Sequence, residues 1–155
     1  MNFAHYAHSA AIVIWSLSTF MIFSLALVVR YGKSLRVQKN ACGEYDQSTL
    51  KAHQRWVKVL FWVTLTAIAV IEPTFRILKT PYPLFFFCVH MPFFVCYGIS
   101  YGMAWKYSGL FRDPLSKYPE RHSEIGRETY FFGVVTALTG DWLVYTLLWL
   151  PYQGI

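Results

Sequence analysis

Hydrophobic positions along the chain fall into four long blocks, at 10–29, 57–71, 82–105 and 129–150, separated by stretches where charged residues collect. Three of the blocks reach the roughly 20 apolar residues that cross a bilayer core as a helix. The second is shorter, but the amphipathic run TLKAHQRW leads into it and Glu72-Pro73 closes it, so its helix is expected to project beyond the bilayer. The pattern predicts an all-α chain. It reads as an integral membrane four-helix bundle forming one domain over 1–155, with helices at about 4–30, 49–72, 82–106 and 119–150. Ser48 is a candidate N-cap for the second helix, and Pro119 suits the first position of the fourth.

Composition supports this reading. Hydrophobic residues make up 55% of the chain and charged residues 14%, against roughly 25% charged in a soluble domain. Mean hydropathy is +0.35. The N-terminal MNFAHYAHS has no Lys or Arg, and Arg30 and Lys33 follow the first block where a cleavage site would stand. That block therefore reads as a retained helix and not a signal peptide.

The net charge of +6 is unevenly placed. The 30–58 connection carries Arg30, Lys33, Arg36, Lys39, Lys51, Arg55 and Lys58 against Glu44 and Asp46, and the 106–128 connection carries Lys106, Arg112, Lys117, Arg121 and Arg127. The 72–80 connection has only Arg76 and Lys79. The positive-inside rule then puts the first and third connections in the cytoplasm and both termini outside. The charge orients the chain and offers contact to anionic lipid. No nucleic-acid motif accompanies it, so nucleic acid is not expected as a partner. Cys88 and Cys96 are two turns apart on one helix, too far to bridge. Cys42 lies in a reducing compartment, so no disulfide is expected.

Five histidines are the informative residues: His5, His8, His53, His90 and His122. Each predicted helix holds at least one. At about 1.5 Å per residue, His53 and His122 fall together near the cytoplasmic ends of helices two and four. His90, nine residues past Pro81, lies roughly 13 Å from the outer end of helix three. His8 (or His5), Glu72 and Asp141 belong to the same outer half, with Asp141 at nearly the depth of His90. An ionisable side chain inside a membrane marks a functional site by default. Gly126, Gly133 and Gly140 recur every seven residues on helix four, and Gly98 and Gly102 form a GxxxG on helix three. Such seams admit close helix approach or leave room for a flat macrocycle.

Each level carries a bland reading beside the chemical one. An interfacial histidine can touch headgroups or cap a helix. Two on facing helices at one level are also the arrangement of bis-histidine haem. His90 can be a core histidine bonded to a carbonyl freed by Pro92, or a ligand or proton acceptor with Asp141, Glu72 and His8. Cys88 and Met91 beside His90 suggest copper weakly, because they point to other helix faces. His5 and His8, at i and i+3, could grip a metal. No nucleophile motif, phosphate loop, HExxH or Ser/His/Asp arrangement is present, which argues against catalysis by side chains alone.

The segments HQRWVKVLF from His53, FCVHMPFFV around His90 and RHSEIGRETYFFGVVTALTGDWLVYTLL from Arg121, with the N-terminal HYAHSAA, resemble a family of small bacterial four-helix membrane proteins. That family, of long-unassigned function, includes an assembly factor for haem–copper terminal oxidases. The chain departs from its pattern at Asp141 and in a long 30–58 connection. The layout is also similar to membrane b-type cytochromes. The resemblance implies histidines at His8, His53, His90 and His122 serving haem or metal in a bacterial inner membrane.

The expected function is a haem b protein of a respiratory chain, acting in electron transfer or in terminal oxidase assembly. Its partners would be the lipid bilayer and a respiratory complex or terminal oxidase. His53 and His122 form the inner axial pair, His8 and His90 the outer pair, and Arg121 and Arg127 meet propionates. The alternatives are an outer copper, iron or quinone site built from His5, His8, Glu72, His90 and Asp141, or an accessory subunit of a larger complex.

Overall fold

In the computed structural model the described residues are 3–79, 83–110 and 118–152, with side chains described for 4–79, 83–106 and 121–151. Pro81, Arg112 and Lys117 lie outside them. Four helices account for nearly all of the described chain: α1 over Phe3–Cys42, α2 over Gln47–Leu78, α3 over Met91–Leu110 and α4 over Tyr118–Val144. All four contain segments long and apolar enough to cross a membrane.

The expected long 30–58 connection is almost entirely helix. α1 has 40 residues and is about 60 Å long, twice a bilayer core of about 30 Å. Together with α2 it forms an antiparallel hairpin that continues past the apolar blocks. Only 43–46 turn the chain. Gly43 takes φ +74°, where L side chains are strained, and its N–H bonds the Lys39 carbonyl at 2.9 Å, ending α1. Asp46, and not Ser48, caps α2. Its carboxylate accepts the Ser48 and Thr49 N–H groups at 3.2 and 3.0 Å and the hydroxyls of both residues. Ser48 is thus a donor to the cap. These four bonds hold the Asp46 carboxyl well below the usual carboxylate range.

α2 also runs through Pro73 to Leu78 instead of closing at Glu72-Pro73. A proline removes one i→i−4 bond. Here the next residues, Thr74 and Phe75, are buried, and the Thr74 hydroxyl bonds the Val70 carbonyl at 2.8 Å. Lys79 at φ +51° then ends the helix.

Two π-helical turns, Phe86–His90 ahead of α3 and Tyr145–Trp149 after α4, each end two residues before a proline, Pro92 or Pro151. The widened turn passes N–H bonds to the i−5 carbonyl, Met91 to Phe86 and Leu150 to Tyr145. It thereby accommodates the ring that would collide with the i−4 carbonyl. His90 and Trp149 are the last residues of these turns, and a single turn of 3₁₀ helix, Leu150–Tyr152, follows the second.

α1 packs on α2 and α4, and α4 packs on α3. α2 and α3 have no Cα atoms within 8 Å of each other among the described residues. Large side chains bridge that wide seam: Tyr97 Oη meets Thr64 Oγ1 at 3.1 Å, and Tyr101 Oη donates to the Val57 carbonyl at 2.8 Å. The central core joins all four helices through Met21, Leu25, Leu60, Val63, Tyr97 and Ala137. A second cluster, Ala11, Ile14, Phe75, Val144 and Leu148, closes the end of the bundle near the termini. Large apolar side chains cover the outside, with Trp62 at 62% and Ile99 at 60% exposure, as a lipid-facing surface requires.

The glycines play different parts. A Cβ on Gly133 would come within 2.7 Å of Leu25 and 3.0 Å of Tyr97, so α4 approaches α1 and α3 closely there. Gly98 and Gly102 face open space. The GxxxG of α3 is therefore not a seam within this bundle.

Candidate functional site

At the hairpin end, α2 and α4 stand diagonally across the bundle and bring His53 and His122 together. Their ring centroids are 6.2 Å apart, with planes at 79°. His53 Nδ1 lies 3.1 Å from the Val28 carbonyl of α1. A carbonyl only accepts, so Nδ1 carries the proton and Nε2 the lone pair of the neutral ring. The ring rests on Gly32, whose absent Cβ would lie 3.5 Å from His53 Cε1. His122 donates to the Ala104 carbonyl of α3, through the nitrogen opposite to the one His53 uses, since its Nδ1 takes no part in that bond. All four helices thus contribute to the pair, two by histidines and two by carbonyls. A hydrogen bond from one ring nitrogen fixes the orientation of the imidazole and which nitrogen is basic, as for metal-binding histidines.

The separation of the two rings fits the axial ligands of a bis-histidine haem. With metal–nitrogen bonds of about 2 Å, two imidazoles facing one metal ion across it have centroids roughly 6 Å apart, and the pair matches that separation. Small residues adjoin both rings, Gly32 at His53 and Ala104 at His122. A Cβ on Gly126, one turn past His122, would meet nothing within 4 Å. Among the described residues no three His, Cys, Asp or Glu side chains converge. A haem brings its own ring nitrogens and needs only two protein ligands. Arg121 and Arg127 are exposed on α4 at this end, and Arg36 reaches Ser123 at 3.5 Å.

The outer residues are not assembled into one site. His90 sits on the α3–α4 seam, its Nδ1 2.9 Å from Thr139 Oγ1 and its ring against Gly140. The Thr139 hydroxyl donates to the Val135 carbonyl at 2.8 Å, so it accepts from His90 Nδ1–H. Phe86 and Phe94 both stack with the ring, centroids 5.6 and 6.5 Å away. Asp141 is at the same level of α4 but faces α1: Ser18 Oγ donates to its Oδ2 at 3.0 Å, and Trp15 Nε1 reaches its carbonyl at 3.4 Å. His8 lies against Trp149, centroids 4.6 Å apart, and makes no ring contact with His90. The expected outer axial pair is therefore not formed, because Trp149 fills the space beside His8 while Thr139 and Gly140 hold His90 elsewhere. Glu72 is exposed and paired with Arg76 at 2.6 Å. His5 is exposed. The three cysteines are free and exposed, and none is placed with His90 as a copper site.

Sequence reasoning brought His53 and His122 to one level but missed what orients them. Carbonyls leave no trace in residue identity, so Val28 and Ala104 had no signal. Gly32, a lone glycine in a basic stretch, is the clue the sequence offers for His53. Thr139, beside a glycine at the depth of His90, is the clue for His90. Neither protein-family models, nor curated proteins, nor solved structures yield a match to this chain.

Proposed function

We propose that this chain is an integral membrane protein that binds haem b between His53 and His122. It would serve a bacterial respiratory chain, in electron transfer or in terminal oxidase assembly. The observation that carries the reading is the His53–His122 pair, with each ring held by a main-chain carbonyl and the two centroids at the separation that one shared metal ion requires.

Haem held there would supply one-electron chemistry. The chain's own part is to present two basic nitrogens at a fixed spacing. The Val28 and Ala104 carbonyls strengthen those nitrogens as ligands by accepting the proton on the other side of each ring. The four helices keep water from the rings, and Arg121 and Arg127 supply positive charge for acidic groups at the hairpin end.

Orientation follows from charge. The hairpin end carries Arg30, Lys33, Arg36, Lys39, Lys51, Arg55, Lys58, Lys106, Arg121 and Arg127, while the opposite end carries Arg76 and Lys79. By the positive-inside rule the haem site lies on the cytoplasmic side and both termini outside. Labelling of exposed Cys42 in intact against opened cells tests this: reaction only after opening supports it, and reaction in intact cells reverses it.

The decisive experiment is an optical spectrum of the detergent-purified protein, oxidised and then dithionite-reduced, with haem and metals quantified in the same sample. A low-spin reduced spectrum at one haem per chain, lost in both His53→Ala and His122→Ala, is the expected result. A folded protein that stays colourless after haem is added overturns the reading.

A further inference from the structure

Lys51, Arg55 and Lys58 follow one another at spacings of four and three residues on α2, with Trp62 one turn beyond. This places them on one helix face. With Gln54, Val59 and Val63 they line a surface groove of about 420 Å³. All three cations are exposed, and the only salt bridge found among the described residues joins Arg76 and Glu72, at the other end of α2. No acidic residue occurs on α2 between Gln47 and Ile71, so nothing on this helix neutralises them. The groove changes character along its length, which is about 18 Å at the helical rise. It begins with cations at the hairpin end and finishes with Trp62 and Val63 inside the apolar block.

We infer that this face of α2 is a binding site for an anionic phospholipid. The phosphate sits among Lys51, Arg55 and Lys58, and an acyl chain runs past Val59 and Trp62. Cations at one end of the groove and apolar side chains at the other match the two ends of the lipid. A soluble anion would use the cations alone and make no use of the exposed Trp62 or of Val59 beside it. The inference rests on the membrane reading above and is independent of haem.

The test uses the full-length protein in nanodiscs of phosphatidylcholine with a minor fraction of phosphatidylglycerol, lipids retained on detergent extraction being counted by native mass spectrometry. One phosphatidylglycerol per chain is expected. Each basic side chain near an anionic surface accounts for about fivefold in affinity, so K51Q/R55Q/K58Q weakens retention on the order of a hundredfold. The variant K33Q/R36Q/K39Q loses the same charge from α1 and retains the lipid. Equal loss in both variants means diffuse attraction and overturns the site, as does undiminished retention in the first. Displacement by inorganic phosphate alone assigns the groove to a free anion and overturns the lipid. Failure of the membrane reading shows differently, as a chain that does not co-migrate with vesicles of any composition.

Discussion

His53 and His122 face each other across the diagonal of the bundle with centroids 6.2 Å apart, and His53 reaches back to the Val28 carbonyl at 3.1 Å. The ring of His53 is thus placed by a helix other than its own. Gly32 is what makes the space for it. A Cβ there meets His53 Cε1 at 3.5 Å, an ordinary contact. Gly32→Ala should therefore leave the ring in place and gain up to about 1 kcal/mol from helix propensity. On the haem proposal, Gly32→Ala keeps a haem spectrum, and Gly32→Leu displaces the ring and abolishes it while circular dichroism stays helical.

Gly133 is limited by sterics on two sides, Leu25 and Tyr97. Gly133→Ala should cost about 1–3 kcal/mol through overpacking, read as a lower thermal midpoint in detergent. Gly98→Ala and Gly102→Ala should be neutral or mildly stabilising, because their Cβ positions are open.

Thr139 accepts the His90 Nδ1 proton while its own proton goes to Val135. Thr139→Val keeps the shape and removes the acceptor, which leaves a part-buried N–H unsatisfied at about 1–3 kcal/mol. Thr139→Ser should recover most of the loss. Equal midpoints for the valine and serine variants would show that the bond contributes nothing.

Asp141 and Ser18 form a polar contact between α4 and α1 at 3.0 Å, with Asp141 Oδ1 buried and unpartnered. Asp141→Leu should therefore be tolerated or stabilising, since it removes that unsatisfied atom. In a double-mutant cycle Ser18→Ala should destabilise the natural chain and have little effect beside Asp141→Leu, a coupling that only direct contact produces.

Asp46 gives a pH dependence whose sign is determined. Its folded carboxyl is held low by the Ser48 and Thr49 bonds, so the cap contributes fully above the ordinary aspartate value of about 4 and is lost as pH falls below it. Hydrogen exchange at the start of α2 should accelerate on acidification in the natural chain. In Asp46→Ala it should be fast at every pH.

The four helices and their order were legible because an apolar block of bilayer length is a property of composition, needing no knowledge of neighbours. The helix ends were less so. The long basic connection concealed a continuous hairpin, since Lys and Arg are good helix formers and only Gly43 and Asp46 mark the turn. Pro73 reads as a stop, yet the burial of Thr74 and Phe75 carries the helix past it. Depth along each helix also came from counting residues, and it correctly put His53 with His122 and His90 level with Asp141.

What counting residues could not supply was rotation about each helix axis. His90 and Asp141 share a level but lie on opposite sides of α4, and Glu72 turns outward to Arg76. A set of ligands that looked convergent by depth is dispersed by angle. The His53–His122 pair survives because the packing of α1 against α2 and of α3 against α4 turns both rings inward onto carbonyls. Composition and periodicity determined that this is a chain of four membrane-length helices bearing histidines at two levels. Tertiary packing alone decided which histidines meet, because an angle about a helix axis is set by the neighbours it packs against.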